Sequence, residues 1–193
     1  MEDSKSSFLD RETNLLWESK DRLAQDEHED KIDNKDVEEM RFTKLGRDLR
    51  KLPFNARNWL TVLDNETNLF WEVKTEDGSI HDKNKRFNWF NAHDKFLQGL
   101  NTENFGSFCD WRLPSRMELE SILDLTRCCP SINLEYFPNT ISSGYFSSTP
   151  FANSTNGVWY VSFGYGLVYY FDKSYSHYVR AVRGGHRDFI VMR

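Results

Sequence analysis

The residues of this chain whose types and spacing could do chemistry are aromatic and small polar ones, and that chemistry is recognition. Seven of the eight tyrosines fall between Tyr145 and Tyr178, where Asp172 and Lys173 are the only acidic or basic side chains apart from His177. The whole chain is 28% charged, so the composition changes abruptly, and the same stretch is dense in Ser, Asn and Gly. A Tyr brings a large amphipathic surface with few torsions to freeze, and small polar neighbours adapt their hydrogen bonds around it. Two readings stand: aromatic filling of core β-strands, or a binding surface. The second names Tyr160, Ser162, Tyr165, Tyr169, Tyr175 and His177 as contacts, with Asn153 and Asn156 in the loop before them. The pleat makes Tyr160 and Ser162 co-facial. Whether Tyr169 or Tyr170 joins them depends on a register that a one-residue slip would reverse.

Other constellations are thin. The histidines (28, 81, 93, 177 and 186) are scattered, with no His-x-x-x-His pair and no nucleophile–base arrangement. No Gly-rich phosphate loop occurs. Cys109, Cys128 and Cys129 match no zinc spacing. Adjacent cysteines seldom bond to each other, so either one bridge from Cys109 to the pair or ordinary buried thiols are the expectations. The expectation is a non-enzyme with no cofactor and no metal.

Several elements must position the aromatic stretch. Val62-Leu63-Asp64 and Leu69-Phe70-Trp71-Glu72 read as a β-hairpin whose turn needs a positive φ at Asn68. The same pattern occurs 54 residues earlier, from Phe8 to Glu18, with Asn14 in the turn. Between the copies, Asp26 to Glu39 is mostly acidic and Arg41 to Arg57 mostly basic. That region reads as a solvated charged linker. The alternative is a short amphipathic helix through Phe42, Leu45, Leu49 and Leu52, weakened by Gly46. Trp89, Ala92, His93, Phe96, Leu97 and Leu100 recur at helical spacing. A second helix starts at Ser115 with a Ser115/Glu118 capping box and an inner face of Leu119, Ile122, Leu123 and Thr126. Strands are expected at Val158–Phe163, Leu167–Phe171 and Tyr178–Arg183, with a turn at Gly164-Tyr165-Gly166. The fold class is therefore α+β: an N-terminal β-hairpin, two helices, then a C-terminal antiparallel β-meander. The domains read as a partial hairpin repeat and linker over 1–40, the main domain over 41–185, and a tail over 186–193.

Bulk properties exclude some classes. A chain of 193 residues with six Trp and fifteen Phe can bury a core, although its mean hydropathy is −0.70. A net charge of −5 gives no general attraction to nucleic acid. No apolar run reaches about 18 residues, so no membrane insertion is expected. Met1 to Ser7 does not read as a leader. A location at the cell surface or outside the cell would follow if a leader had been removed, and otherwise the cytoplasm or a phage particle.

The string Asp110-Trp111-Arg112-Leu113-Pro114-Ser115-Arg116-Met117-Glu118-Leu119 carries a family resemblance. With it come Asp64 to Trp71, Tyr136-Phe137-Pro138-Asn139-Thr140, Tyr145 to Pro150 and the closing Tyr178 to Gly185. From about Arg41 to Gly185 the chain resembles the Lcl C-terminal domain family, with Thr67-Asn68-Leu69 where the family usually has Thr-Gly-Leu. The resemblance implies a C-type-lectin-like fold in bacterial or phage-borne proteins, adhesion at the cell surface, and a glycan or protein ligand. It also implies a trimeric homo-oligomer and a sulfated glycosaminoglycan ligand, after the founding member. Related domains are varied by diversity-generating retroelements in C-terminal segments like Asn153 to His177. The tripeptide Phe137-Pro138-Asn139 lacks the acidic or amide first member that calcium-dependent sugar binding uses. A structural or assembly subunit of a phage or surface appendage is the alternative function. Asp110, Arg112, Arg180 and Arg183 read as scaffold, with at most one of the two strand arginines buried beside a carboxylate.

Overall fold

The computed structural model describes residues 41–185, so the Phe8 to Glu18 copy of the hairpin and the 186–193 tail lie outside the described residues. The architecture is α+β, with two antiparallel sheets and short helical segments between them.

Strands β2 (Thr61–Asp64) and β3 (Leu69–Glu72) form the expected hairpin, with Val62 opposite Trp71 and Leu63 opposite Phe70. The turn is made locally. The Asp64 carboxylate accepts the Glu66 N–H at 3.0 Å, and Asn68 takes a φ of 56°, a conformation Asn tolerates better than other side-chain-bearing residues. Strand β1 (Phe42–Leu45) pairs antiparallel with β2, and β7 (Val182–Gly184) pairs with β3, giving the order β1-β2-β3-β7. The second sheet is β4 (Gly144–Pro150), β5 (Gly157–Ser162) and β6 (Leu167–Asp172), in that order.

The structure departs from four expectations. The basic stretch from Arg41 to Arg57 is neither linker nor helix: Phe42 and Leu45 are buried in β1, and Leu49 has a φ of 61°. Pairing with β2 overrides the local helical spacing, and Lys44 is buried with its Nζ donating to the carbonyls of Phe54 (2.6 Å) and Ala56 (3.2 Å). The final strand does not extend the meander. After Tyr178 bridges Tyr145, the chain crosses back and Val182 pairs with Trp71. The meander instead begins one strand earlier, at β4. The second helix ends at Ser121, and Thr126 is exposed in a turn where Asp124 accepts its N–H at 2.9 Å. Finally, the three thiols are free and exposed, because they sit in polar loops.

The first long helix forms as α1 (Trp89–Asn91), a π-helical turn (Ala92–Leu97) and α2 (Gln98–Thr102), capped by the Asn88 side chain. Its Ala92, Phe96, Leu97 and Leu100 join Trp111, Leu113, Phe146, Val158, Val179 and Ala181 in one apolar cluster. A second cluster gathers Val62, Leu69, Trp71 and Val182 from the first sheet, Leu119 and Ile122 from α3 (Arg116–Ser121) and its end, Tyr145 and Val161 from the second sheet, and Phe163 just after β5. Tyr145 and Phe146 therefore point to opposite clusters, as the period of two requires. The β4–β5 half of the second sheet lies between two cores. Among the described residues β6 has no such cover apart from Val168, which packs on the second cluster.

The family motif serves this scaffold. Ser115 caps α3 with its hydroxyl on the Glu118 N–H (3.1 Å), and Glu118 accepts the Ser115 N–H (2.6 Å). Arg112 grips the same carboxylate through two bonds of 2.7 and 2.8 Å. Burial opposes ionisation of Glu118, but the Arg112 fork and the Ser115 N–H outweigh it and hold its carboxyl below the usual range. Asp110 pairs with Arg183 at 2.7 and 3.0 Å, tying the motif to β7. Arg180 is fully buried and Arg183 is not, but Arg180 precedes β7 instead of sharing a strand with Arg183, and it donates to the Glu72 carbonyl and the Thr140 hydroxyl, both at 2.7 Å.

Candidate functional site

The β5–β6 hairpin turns at Phe163 to Gly166, with the Gly166 N–H on the Ser162 carbonyl at 2.9 Å and a φ of 64° at Gly166. This turn lifts Tyr165 to the tip, where it is 78% exposed. Because β6 is the last strand of its sheet among the described residues, Leu167, Tyr169, Tyr170 and Phe171 also stay exposed. At the far end Asp172 organises the next turn by accepting the Ser174 N–H at 2.8 Å, and this bond holds its carboxyl below the usual range. Tyr175 follows, 62% exposed. Residues 152–156 form an exposed polar loop beside it, joined by the Lys173 N–H on the Asn156 carbonyl (2.8 Å) and the Lys173 ammonium on the Thr155 carbonyl (2.9 Å).

The expected contacts thus fall into groups. Asn153, Asn156 and Tyr175 lie exposed at one end of β6, and Tyr165 at the other, about 20 Å away along a six-residue strand. Tyr169 stands between them and is 50% exposed. The register settles the question left by the sequence: Tyr169, not Tyr170, is opposite and co-facial with Tyr160.

Two expected contacts are turned inward. Ser162 is only 7% exposed, and its hydroxyl accepts the Gly164 N–H at 3.3 Å, so it builds the turn. His177 is packed by Phe146, Tyr160 and Phe171, with ring centroids 4.7 to 4.8 Å away. Its Nε2 has no hydrogen-bond partner among the described residues. Tyr160 is half-buried in the same cluster. Burial, with the Arg86 guanidinium nearby, pushes the His177 pKa down to about 4.

Histidines of the unfolded chain take up protons near pH 6.5, before His177 of the folded chain does. Stability contributed by neutral His177 is present above that pH and is lost as pH falls toward 4. We expect thermal melting between pH 7 and pH 4.5 to fall more steeply for wild type than for His177→Phe. Equal slopes would show that the imidazole is not held neutral.

Tyr170, weighed from the sequence only as the alternative to Tyr169, stands exposed on the other face. It is 54% exposed and stacks on Phe151 at 3.9 Å with rings nearly parallel, and Phe151 meets Trp159 edge-on at 5.3 Å. Arg116 lies over Trp159 at 4.7 Å, completing an aromatic–cationic face opposite the one that carries Tyr169. A second concave region, a cleft of about 460 Å³, is lined by Arg47, Arg57, Asn58, Trp59, Glu76 and Asn139. The basic block therefore contributes Arg47 and Arg57 to a cleft, while Lys44 is buried and Arg41 pairs with Asp64 at 3.0 Å. Among the described residues no group of three or more His, Cys, Asp or Glu could hold a metal ion. None of the described helices is long and apolar enough to cross a membrane.

The fold defines the class: an α+β domain of two antiparallel sheets whose motif residues brace the scaffold. The family model of the Lcl C-terminal domain matches residues 60–183, and the chain belongs to that family. No curated protein matches the chain.

Proposed function

We propose that this chain is a non-enzymatic, adhesin-like recognition module of C-type-lectin-like fold that binds a glycan or protein ligand through β6 and its flanking turns. One observation carries the reading. Of the ten exposed large apolar side chains among the described residues, six lie between Tyr165 and Tyr175. Contiguous exposed apolar surface rimmed by small polar residues marks an interaction site. The contacts are Tyr165, Tyr169, Tyr170 and Tyr175, with Asn153 and Asn156 on the rim. Ser162 and His177 support them from inside. The buried titratable groups favour a non-catalytic role, since Glu72, Lys74 and His81 are bonded to one another away from the exposed strand.

The test is an array of glycans and extended peptides probed with wild type and with Tyr165→Ala, Tyr169→Ala and Tyr175→Ala. We expect a ligand whose binding falls about 10-fold or more in at least one variant, the usual cost of losing an aromatic anchor. Absence of any ligand on both arrays would favour the second reading, a subunit of a phage or surface assembly, which the edge of β6 left unpaired among the described residues supports.

A further inference from the structure

Strand β6 is paired with β5 alone among the described residues. The other edge of this sheet is covered. Tyr178 bridges β4 at Tyr145, donating its N–H to Gly144 and accepting that of Phe146. Strand β4 also carries a register shift and ends on Pro150. Such devices protect sheet edges from pairing with another chain. Strand β6 has none of them: its register runs unbroken from Asp172 to Leu167, and it contains no Pro, Lys or bulge.

Its free backbone groups can be assigned. The carbonyls of Gly157 and Trp159 accept bonds from Phe151 and Ser147 on the β4 side. Alternation then turns Val158, Tyr160 and Ser162 toward β6, where they bond Phe171, Tyr169 and Leu167. The N–H and C=O groups of Val168 and Tyr170 are left pointing out of the edge. Exposed side chains stand on both faces of this one strand, with Leu167, Tyr169 and Phe171 on one and Tyr170 on the other. A sugar ring engages one face of a sheet. A strand engages both faces, and fills the backbone groups as well.

We propose that the edge of β6 pairs antiparallel with β6 of a second copy of this chain, about a two-fold axis at Tyr169, forming one continuous six-stranded sheet. Tyr169 then faces its own copy, Leu167 faces the partner's Phe171, and Val168 faces the partner's Tyr170. The stretch from Leu167 to Phe171 carries no charge, so this register opposes no like charges and buries no ion. A charged partner strand would lose solvation against these side chains, whereas β6 meets its own requirement. The inference goes beyond the recognition reading: the exposed tyrosines of two chains share one sheet, and the surface is bipartite.

The experiment is sedimentation velocity of the full chain from about 1 to 100 µM. A dimer is expected. Tyr169→Lys sets two ammonium groups opposite each other, and Val168→Pro deletes an outward N–H without touching the β5 bonds. Each should weaken the dimer about 10-fold or more. A second readout does not depend on weakening. Tyr169→Cys, with Cys109, Cys128 and Cys129 replaced by Ser, should cross-link two chains under mild oxidation, because directly opposed residues of this type lie about 4.5 Å apart at Cα. A monomer throughout, a trimer, or a dimer indifferent to both substitutions and not cross-linked at residue 169 would overturn the proposal. Ligand binding by a monomer would sink this inference and leave the recognition reading intact; a cross-linked dimer that binds no ligand would do the reverse.

Discussion

Glu72→Ala should lower the unfolding free energy by about 3–5 kcal/mol, the range for removing one partner of a buried ion pair. The carboxylate is inaccessible to solvent. One oxygen accepts from the Lys74 ammonium at 2.9 Å and from His81 Nδ1 at 3.0 Å, and the other accepts the Ala181 N–H at 3.0 Å. Burial opposes its ionisation, but Lys74, His81 and the Ala181 N–H outweigh that and hold its carboxyl below the usual range. Removing it strands the buried Lys74 cation, whose own pKa burial already lowers, with the buried Arg180 contributing further repulsion. It also leaves the Ala181 N–H without its acceptor where the C-terminal segment crosses to the first sheet, while the residue 72 N–H still donates to the Ala181 carbonyl at 3.0 Å. Urea unfolding midpoints at constant slope measure the loss. The double variant Glu72→Leu/Lys74→Met should recover part of it, because the stranded Lys74 charge is gone while buried Arg180 still lacks the attraction of the Glu72 carboxylate. A Glu72→Ala protein within about 1 kcal/mol of wild type would refute this reading of the network.

Gly144→Ala should be the more revealing substitution. A Cβ built there would lie 1.4 Å from Tyr160 Cζ and 1.8 Å from its hydroxyl oxygen, so the phenol must leave its place over the glycine. Tyr160 packs Phe171 at 5.0 Å and His177 at 4.8 Å, and both lose their neighbour when it moves. Overpacking of this kind costs about 1–3 kcal/mol. The displaced ring must also disturb Tyr169, which lies directly opposite on β6. Removing the ring in Gly144→Ala/Tyr160→Ala should make the two costs non-additive by about 0.5–3 kcal/mol, the signature of direct contact. Additive costs, or an unperturbed Gly144→Ala, would mean that Tyr160 is not the ring in contact.

These two sites show what the sequence made legible and what it did not. The hairpin with its αL Asn68 and the Ser115/Glu118 cap were readable because each is decided within a few residues. Strand β1 was not, because only pairing with β2 makes Phe42 and Leu45 inner residues rather than points on a helical stripe. The crossing of Val182 into the first sheet was hidden for the same reason: nothing between Tyr178 and Arg183 names the strand it will join. In the candidate site, composition located the aromatic cluster but not its exposure. Leu167 to Phe171 reads like a central strand and is open because, among the described residues, it ends its sheet. Ser162 shared the pleat with Tyr160 as expected, yet the tight turn at Phe163 to Gly166 drew its hydroxyl inward.

The central claim is that the exposed tyrosines around β6 grip a partner. Its most direct test is titration of the best array ligand against wild type and against the triple variant Tyr165→Ser/Tyr169→Ser/Tyr175→Ser, with melting temperatures measured alongside. The account predicts a loss of affinity of about 100-fold or more, with an unchanged melting temperature at dilutions where the chain is monomeric, since these side chains are exposed and their truncation leaves no cavity. Full affinity in the triple variant would contradict it.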